Sequence, residues 1–137
     1  MPMERLETQI PATPAAPQLI RGWLRTTLAT WQLDGFGEVT ELLATELVSN
    51  VVKHVGRPMT VRIMRQQGSI RVEIDDPDDE VPTLEHPDPR TEHGRGVLVV
   101  DALADEWGTE VHPDDGKTVW FELDVATGHA EAHDTDD

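Results

Sequence analysis

The chain contains no cysteine. Disulfide stapling, thiol nucleophiles and thiolate zinc sites are therefore excluded. The lack fits a reducing cytosol, where the protein is expected to reside. Met1 to Thr13 has no apolar run with a basic flank, so no secretory signal is expected. No stretch approaches the roughly 18 apolar residues of a membrane span. Bases are scarce: 11 Lys and Arg stand against 27 Asp and Glu, a formal net charge of −16. Such a charge repels phosphate backbones, so nucleic acid is not expected as a partner, and the lack of an apolar span leaves no membrane expected either. A single Mg²⁺-bound nucleotide is a different case, because the metal bridges protein oxygens to phosphates.

What is present is enough for one domain. A chain of 137 residues can bury one core without staples. The reading places that domain over residues 1–125. The stretch 126–137 carries Glu131, Asp134, Asp136 and Asp137 with almost nothing apolar, and is expected to be a disordered acidic tail.

Glu4 to Ile10 alternates weakly and suggests an edge strand, ended by Pro11, Pro14 and Pro17. From Ala15 the pattern turns helical, with Leu19, Trp23, Leu28 and Trp31 recurring at spacings near three and four. Gly35 and Gly37 punctuate its end. A second helix is predicted from about Glu38 to Val55. Val39, Leu43, Leu47, Val51 and Val55 form its apolar row, widened by Val48 and Val52, and Gly56 and Pro58 stop it.

The period then changes to two. Thr60–Met64 and Ile70–Ile74 predict a β-hairpin turned at Gln66-Gln67-Gly68-Ser69. Pro77 to Arg95 holds four prolines and many acids, a loop long enough to suggest a lid over a ligand. Val97–Leu103 predicts a short helix. Glu106–His112 and Lys117–Asp124 predict a closing pair of strands turned at Pro113-Asp114-Asp115-Gly116. This order predicts an α/β (α+β) two-layer sandwich, a mostly antiparallel sheet with helices on one face.

Four groups of residues carry candidate chemistry. Glu46, Asn50 and His54 are spaced by four and four on the second helix. An α-helix advances only about 40° over each such step, so the three share one side. A polar row is ordinarily a solvated face, but Glu46 and Asn50 flank Leu47, Val48 and Val51 of the apolar stripe. A carboxylate can take a proton, an amide oxygen can ligate a hard cation, and an imidazole can serve proton or phosphate chemistry. Asp76 closes the second hairpin strand, where a carboxylate can accept from an amino group or simply cap the turn before Pro77. His93-Gly94-Arg95-Gly96-Val97 stands at a helix start. Glycine backbone N–H groups, the helix dipole and a forked cation suit phosphate there, though a plain hinge has the same composition. Gly116-Lys117-Thr118-Val119-Trp120 is by itself only a turn entering a strand. The scattered His86, His93, His112, His129 and His133 have no ligand spacing on a common element.

In this order and spacing the pieces resemble the GHKL (Bergerat) ATPase and kinase superfamily, and within it the small bacterial anti-sigma serine kinases RsbW and SpoIIAB. Glu46-Leu47-Val48-Ser49-Asn50-Val51-Val52-Lys53-His54 is similar to the N box. Val72-Glu73-Ile74-Asp75-Asp76 is similar to the first glycine-box strand, and Gly94-Arg95-Gly96-Val97-Leu98-Val99-Val100-Asp101-Ala102-Leu103-Ala104 to the second glycine box. Trp107-Gly108 and Gly116-Lys117-Thr118-Val119-Trp120-Phe121 are similar to the closing strands.

The resemblance implies ATP and Mg²⁺ as cofactors and serine phosphotransfer to an anti-sigma-factor antagonist. It allows a sigma factor as a second partner and a homodimer as the assembly. It implies Glu46 as general base, Asn50 as Mg²⁺ ligand, and His54 at the nucleotide with a less fixed role. Asp76 would bind adenine, supported by Thr118. Gly94, Arg95, Gly96 and Val97 would line the phosphate end. One departure stands out: the superfamily's glycines two and four residues after the aspartate are replaced here by the glycine-free run Asp76-Pro77-Asp78-Asp79-Glu80. An altered lid hinge is implied. The alternative is a regulatory module of the same fold that binds ATP or partners with little or no transfer.

Overall fold

The computed structural model describes residues 4–77 and 92–125, without the side chains of His54 and residues 92–97. Most of the expected lid and the whole expected tail lie outside the described residues. The element order is β1 (Glu4–Ile10), α1 (Ala16–Thr30), a 3₁₀ turn (Asp34–Phe36), α2 (Gly37–His54), β2 (Met59–Gln66), β3 (Ser69–Asp76), α3 (Glu92–Leu103), β4 (Glu106–His112) and β5 (Gly116–Asp124). The five strands form one sheet in the order β1-β2-β3-β5-β4, and every neighbouring pair is antiparallel. The fold is the expected α+β sandwich.

The helices cover one face. Val61 and Ile63 of β2, Ile70, Val72 and Ile74 of β3, and Val119, Phe121 and Leu123 of β5 alternate inward. They join Ile20, Leu24 and Leu28 of α1 and Leu43, Leu47, Val48 and Val51 of α2 in one core. Each large side chain withdrawn from water there stabilises the fold by roughly 1.5–3 kcal/mol before ordering costs.

Pro17 falls in the first turn of α1, where its missing N–H would have no helical partner anyway. The buried stripe of this helix is Ala16, Ile20, Leu24, Thr27 and Leu28. Of the four positions expected from periodicity, Leu28 and Trp31 are buried, whereas Leu19 is 47% exposed and Trp23 only partly buried. α1 ends at Thr30, ahead of the glycines expected to punctuate it, and Gln32 turns the chain with φ 61. α2 ends as expected: Gly56, at φ 72, donates its N–H to the Val51 carbonyl at 2.9 Å.

The other face of the sheet carries an interlocked polar layer. Arg62 reaches Glu73 (Nε–Oε1 2.9 Å) and Asp75 (Nη2 2.7 Å to each oxygen). Arg71 reaches Glu73 (2.8 Å) and Glu122 (2.8 Å), and its guanidinium lies 4.1 Å from the centroid of the Trp120 ring. Gly108 of β4 makes room for that ring, since a Cβ there would stand 2.9 Å from Trp120 Cζ2.

α3 differs from the sequence expectation. A helix was predicted only from Val97, with Gly94 and Gly96 in the loop before it. The helix instead begins at Glu92, so both glycines lie in its first turns. A glycine pair weakens a helix interior but is tolerated near its start.

Candidate functional site

The site is built at one end of the sheet. Antiparallel register sets Met59, at the start of β2, next to the Asp76 end of β3, and pairs Asp76 with Lys117 at the start of β5. α2 ends at His54, only residues 55–58 before β2 begins. The N-box end of α2 and the Asp76 end of β3 are thus held together by chain connectivity. Arg57, in that connection, donates from Nη2 to the Pro77 carbonyl at 3.3 Å. α2 also packs against α3 and touches β3. Trp107 of β4 ties α3 down, its Nε1 donating to Asp101 Oδ1 at 2.9 Å.

Glu46 and Asn50 lie one turn apart on α2, both half-buried, next to buried Leu47, Val48 and Val51. This is the flank of the core stripe and not the fully solvated face of the helix. His54 ends the same helix, but its side chain lies outside the described residues. The backbone of Gly94, Arg95, Gly96 and Val97 runs in the opening turns of α3, and their side chains likewise lie outside the described residues.

Asp75 and Asp76 point to opposite faces, as strand alternation requires. Asp76 faces the helices and is 4% exposed. Its carboxylate accepts from Lys117 Nζ, which stands 3.0 Å from each of its two oxygens. Gly116 presses against this point. With φ 90, it leaves no room for a Cβ, which would run into the Asp76 carbonyl oxygen and Pro77.

The structure does not bring Thr118 to Asp76. Residue 118 pairs with Asp75, one register step away, so its side chain projects from the open face. There Thr118 Oγ1 donates to Asp75 Oδ1 at 2.6 Å and lies 2.8 Å from His112 Nε2. Lys117 takes the position beside Asp76, and sequence reasoning assigned it nothing. The signal was available: Lys117, Val119, Phe121 and Leu123 alternate, so a lysine was written in the register of a core strand.

Charge on the open face is set by the same network. Burial alone would raise the Glu73 carboxyl, but hydrogen bonds and charge from Arg71 and Arg62 outweigh it and hold Glu73 below its usual range. Arg62 is held further into its charged form by Asp75 and Glu73, against the opposing effect of burial. Among the described residues, no three His, Asp or Glu groups gather into a metal cage. No helix of the described residues is long and apolar enough to cross a membrane.

A two-layer α+β domain with a polar N-box helix over an antiparallel sheet is the architecture of an ATPase domain of the histidine-kinase type. The chain belongs to the histidine kinase-like ATPase domain family HATPase_c_2, whose model matches residues 10–123. It is 41% identical over 76 residues to an uncharacterized protein of Streptomyces coelicolor, a match spanning 51% of this chain and 71% of that one. Its fold is similar to the crystal structure of the RsbU and RsbW domains of Rv1364c from Mycobacterium tuberculosis, with a TM-score of 0.65 and 18% identity. That likeness covers 88% of this chain and 32% of the other, so the chain spans about a third of the larger protein.

Proposed function

We propose that this domain is an ATP- and Mg²⁺-dependent serine protein kinase that phosphorylates an anti-sigma-factor antagonist and so regulates transcription by partner switching in the cytoplasm. The observation that carries the reading is the pair on α2: a carboxylate and an amide one turn apart, half-buried beside the core stripe, on a helix whose end adjoins Asp76. The family match and the RsbW-like fold support the same reading.

The residues present suit the cofactor at the phosphate end. Mg²⁺ commonly keeps several waters and takes one or two protein oxygens besides those of phosphates. Asn50 would be such a ligand, and no preformed cage is needed. The metal would supply neutralisation of phosphate charge. Glu46 would take the proton of the acceptor serine hydroxyl, whose oxygen would bond to the γ-phosphorus while the bond to the departing ADP oxygen breaks. His54 would stand beside the nucleotide. Gly94, Arg95, Gly96 and Val97, at the opening of α3, would offer backbone N–H groups and the helix dipole to phosphate oxygens. Asp76 would read the amine of the base.

The Asp76–Lys117 contact favours a second reading, a partner-binding module of the same fold with little or no transfer. The deciding experiment incubates the protein with labelled ATP, Mg²⁺ and antagonist proteins encoded in the same genome. Label on an antagonist serine supports the kinase. No transfer to any of them, with ATP still raising the melting temperature, would leave the binding module.

A further inference from the structure

Lys117 is out of place by composition and in place by geometry. The helix-facing positions of β5 are Lys117, Val119, Phe121 and Leu123, and the lysine is as buried as the core residues beside it, at 5% exposure. Its ammonium lies equidistant from both oxygens of Asp76, 3.0 Å from each, with the two side chains 6% and 3% exposed. A buried ion pair of this kind is weak evidence for a stability device, since well-packed apolar residues of similar volume often serve as well or better. Straddling both oxygens, the ammonium takes up acceptor positions that a ligand's amino group would also use.

We propose that Lys117 is an internal competitor for the base-reading carboxylate, and that it sets the nucleotide affinity of the domain. The inference rests on the reading of Asp76 as the base-binding residue. An ammonium is a charged donor and the exocyclic amine of adenine a neutral one, and the charge-assisted bond is the stronger. A base therefore gains its full bond to this carboxylate only when Lys117 gives way. Gly116, close against the Asp76 carbonyl and Pro77, fixes the backbone from which the carboxylate extends. The lysine stem is the flexible partner. If the open arrangement is a minor state, apparent affinity falls in proportion to its population, and a one-in-ten population weakens binding about tenfold.

The test is calorimetric titration with Mg·ADP, and with Mg·GDP as control, alongside thermal melts. Parent, Lys117→Met, Asp76→Asn and the double variant Asp76→Asn/Lys117→Met are compared. Lys117→Met should melt lower than the parent when free, because a buried carboxylate loses this charged partner. It should bind ADP at least about tenfold tighter, with no equal gain for GDP. The double variant should recover the melting temperature without the gain in affinity. A folded Lys117→Met that binds ADP no tighter than the parent overturns the proposal. If that variant does not fold, Lys117→Gln, which keeps a neutral donor, decides by the same comparison. The two layers of inference separate cleanly. Affinity that depends on Asp76 but not on Lys117 sinks only the competitor. Affinity indifferent to Asp76 in the Lys117→Met background, or no ADP uptake by any variant, removes the base-reading role and the competitor with it.

Discussion

Arg62 grips Asp75 through Nη2 at 2.7 Å from both carboxylate oxygens, on the sheet face opposite the Asp76 carboxylate. Two consecutive aspartates thus have unrelated duties. Asp75 belongs to a structural layer of alternating charges, and Asp76 to the end of the sheet that α2 and β5 enclose.

Asp75→Asn should cost stability and spare the ligand. The substitution weakens the Arg62 contact and the hydrogen bond from Thr118, a loss of about 1–2 kcal/mol. Nucleotide affinity should match the parent, whereas Asp76→Asn should lose preference for ATP over GTP. Paired denaturant melts and titrations check this, and a loss of affinity in Asp75→Asn without a loss of stability would contradict it.

Glu46→Gln separates chemistry from binding. It keeps size and hydrogen bonding but loses proton affinity. Phosphotransfer should fall by a factor on the order of 10² or more, with the melting temperature and nucleotide binding unchanged. Transfer at the parent rate would remove Glu46 from the base role.

Asn50→Ala should abolish the Mg²⁺-dependent part of the thermal shift produced by ATP and leave the metal-free part. The measurement is the melting temperature with ATP, with and without Mg²⁺. Equal shifts in variant and parent under both conditions would refute the assignment.

Acid should erode stability through Glu73. Its folded-state carboxyl is held below the usual range by Arg71 and Arg62, so its contribution is present above the unfolded value, about 4.5, and is lost as pH falls through the lower folded value. The melting-temperature gap between parent and Glu73→Gln should be constant above about pH 5 and close below about pH 4.5. Because this side chain keeps some solvent contact, the gap should correspond to no more than about 1 kcal/mol.

Gly116→Ala and Gly56→Ala should rank apart although both glycines have positive φ, 90 and 72. Nothing lies within 4 Å of a Cβ at Gly56, so only the backbone penalty applies, about 1 kcal/mol. At Gly116 a Cβ collides with the Asp76 carbonyl and Pro77, and the cost should exceed the Gly56 cost by about 2 kcal/mol or more. Chemical denaturation of the two variants gives the order.

Several elements were determined by the sequence alone. The limits of β4, Glu106–His112, follow from local alternation and a turn-rich flank. The apolar row of α2 and its glycine stop follow from a four-residue repeat and a positive φ that glycine adopts freely. These signals sit within one element, so no distant contact is needed to read them. Tertiary structure alone decided the rest. On α1, Leu19 and Trp23 form one four-residue repeat and Ile20 and Leu24 another, one residue round the helix. Periodicity is the same for both, and docking against the sheet and α2 buried the second. Alternation in β5 puts Lys117 on the apolar side and Thr118 on the other, but which residue stands opposite Asp76 depends on pairing with a strand 41 residues earlier. Loop-closing registers of that range are written in the sum of core contacts and not in any local run. Hence Thr118, the residue suggested by motif, stands with Asp75, and Lys117 holds the Asp76 carboxylate.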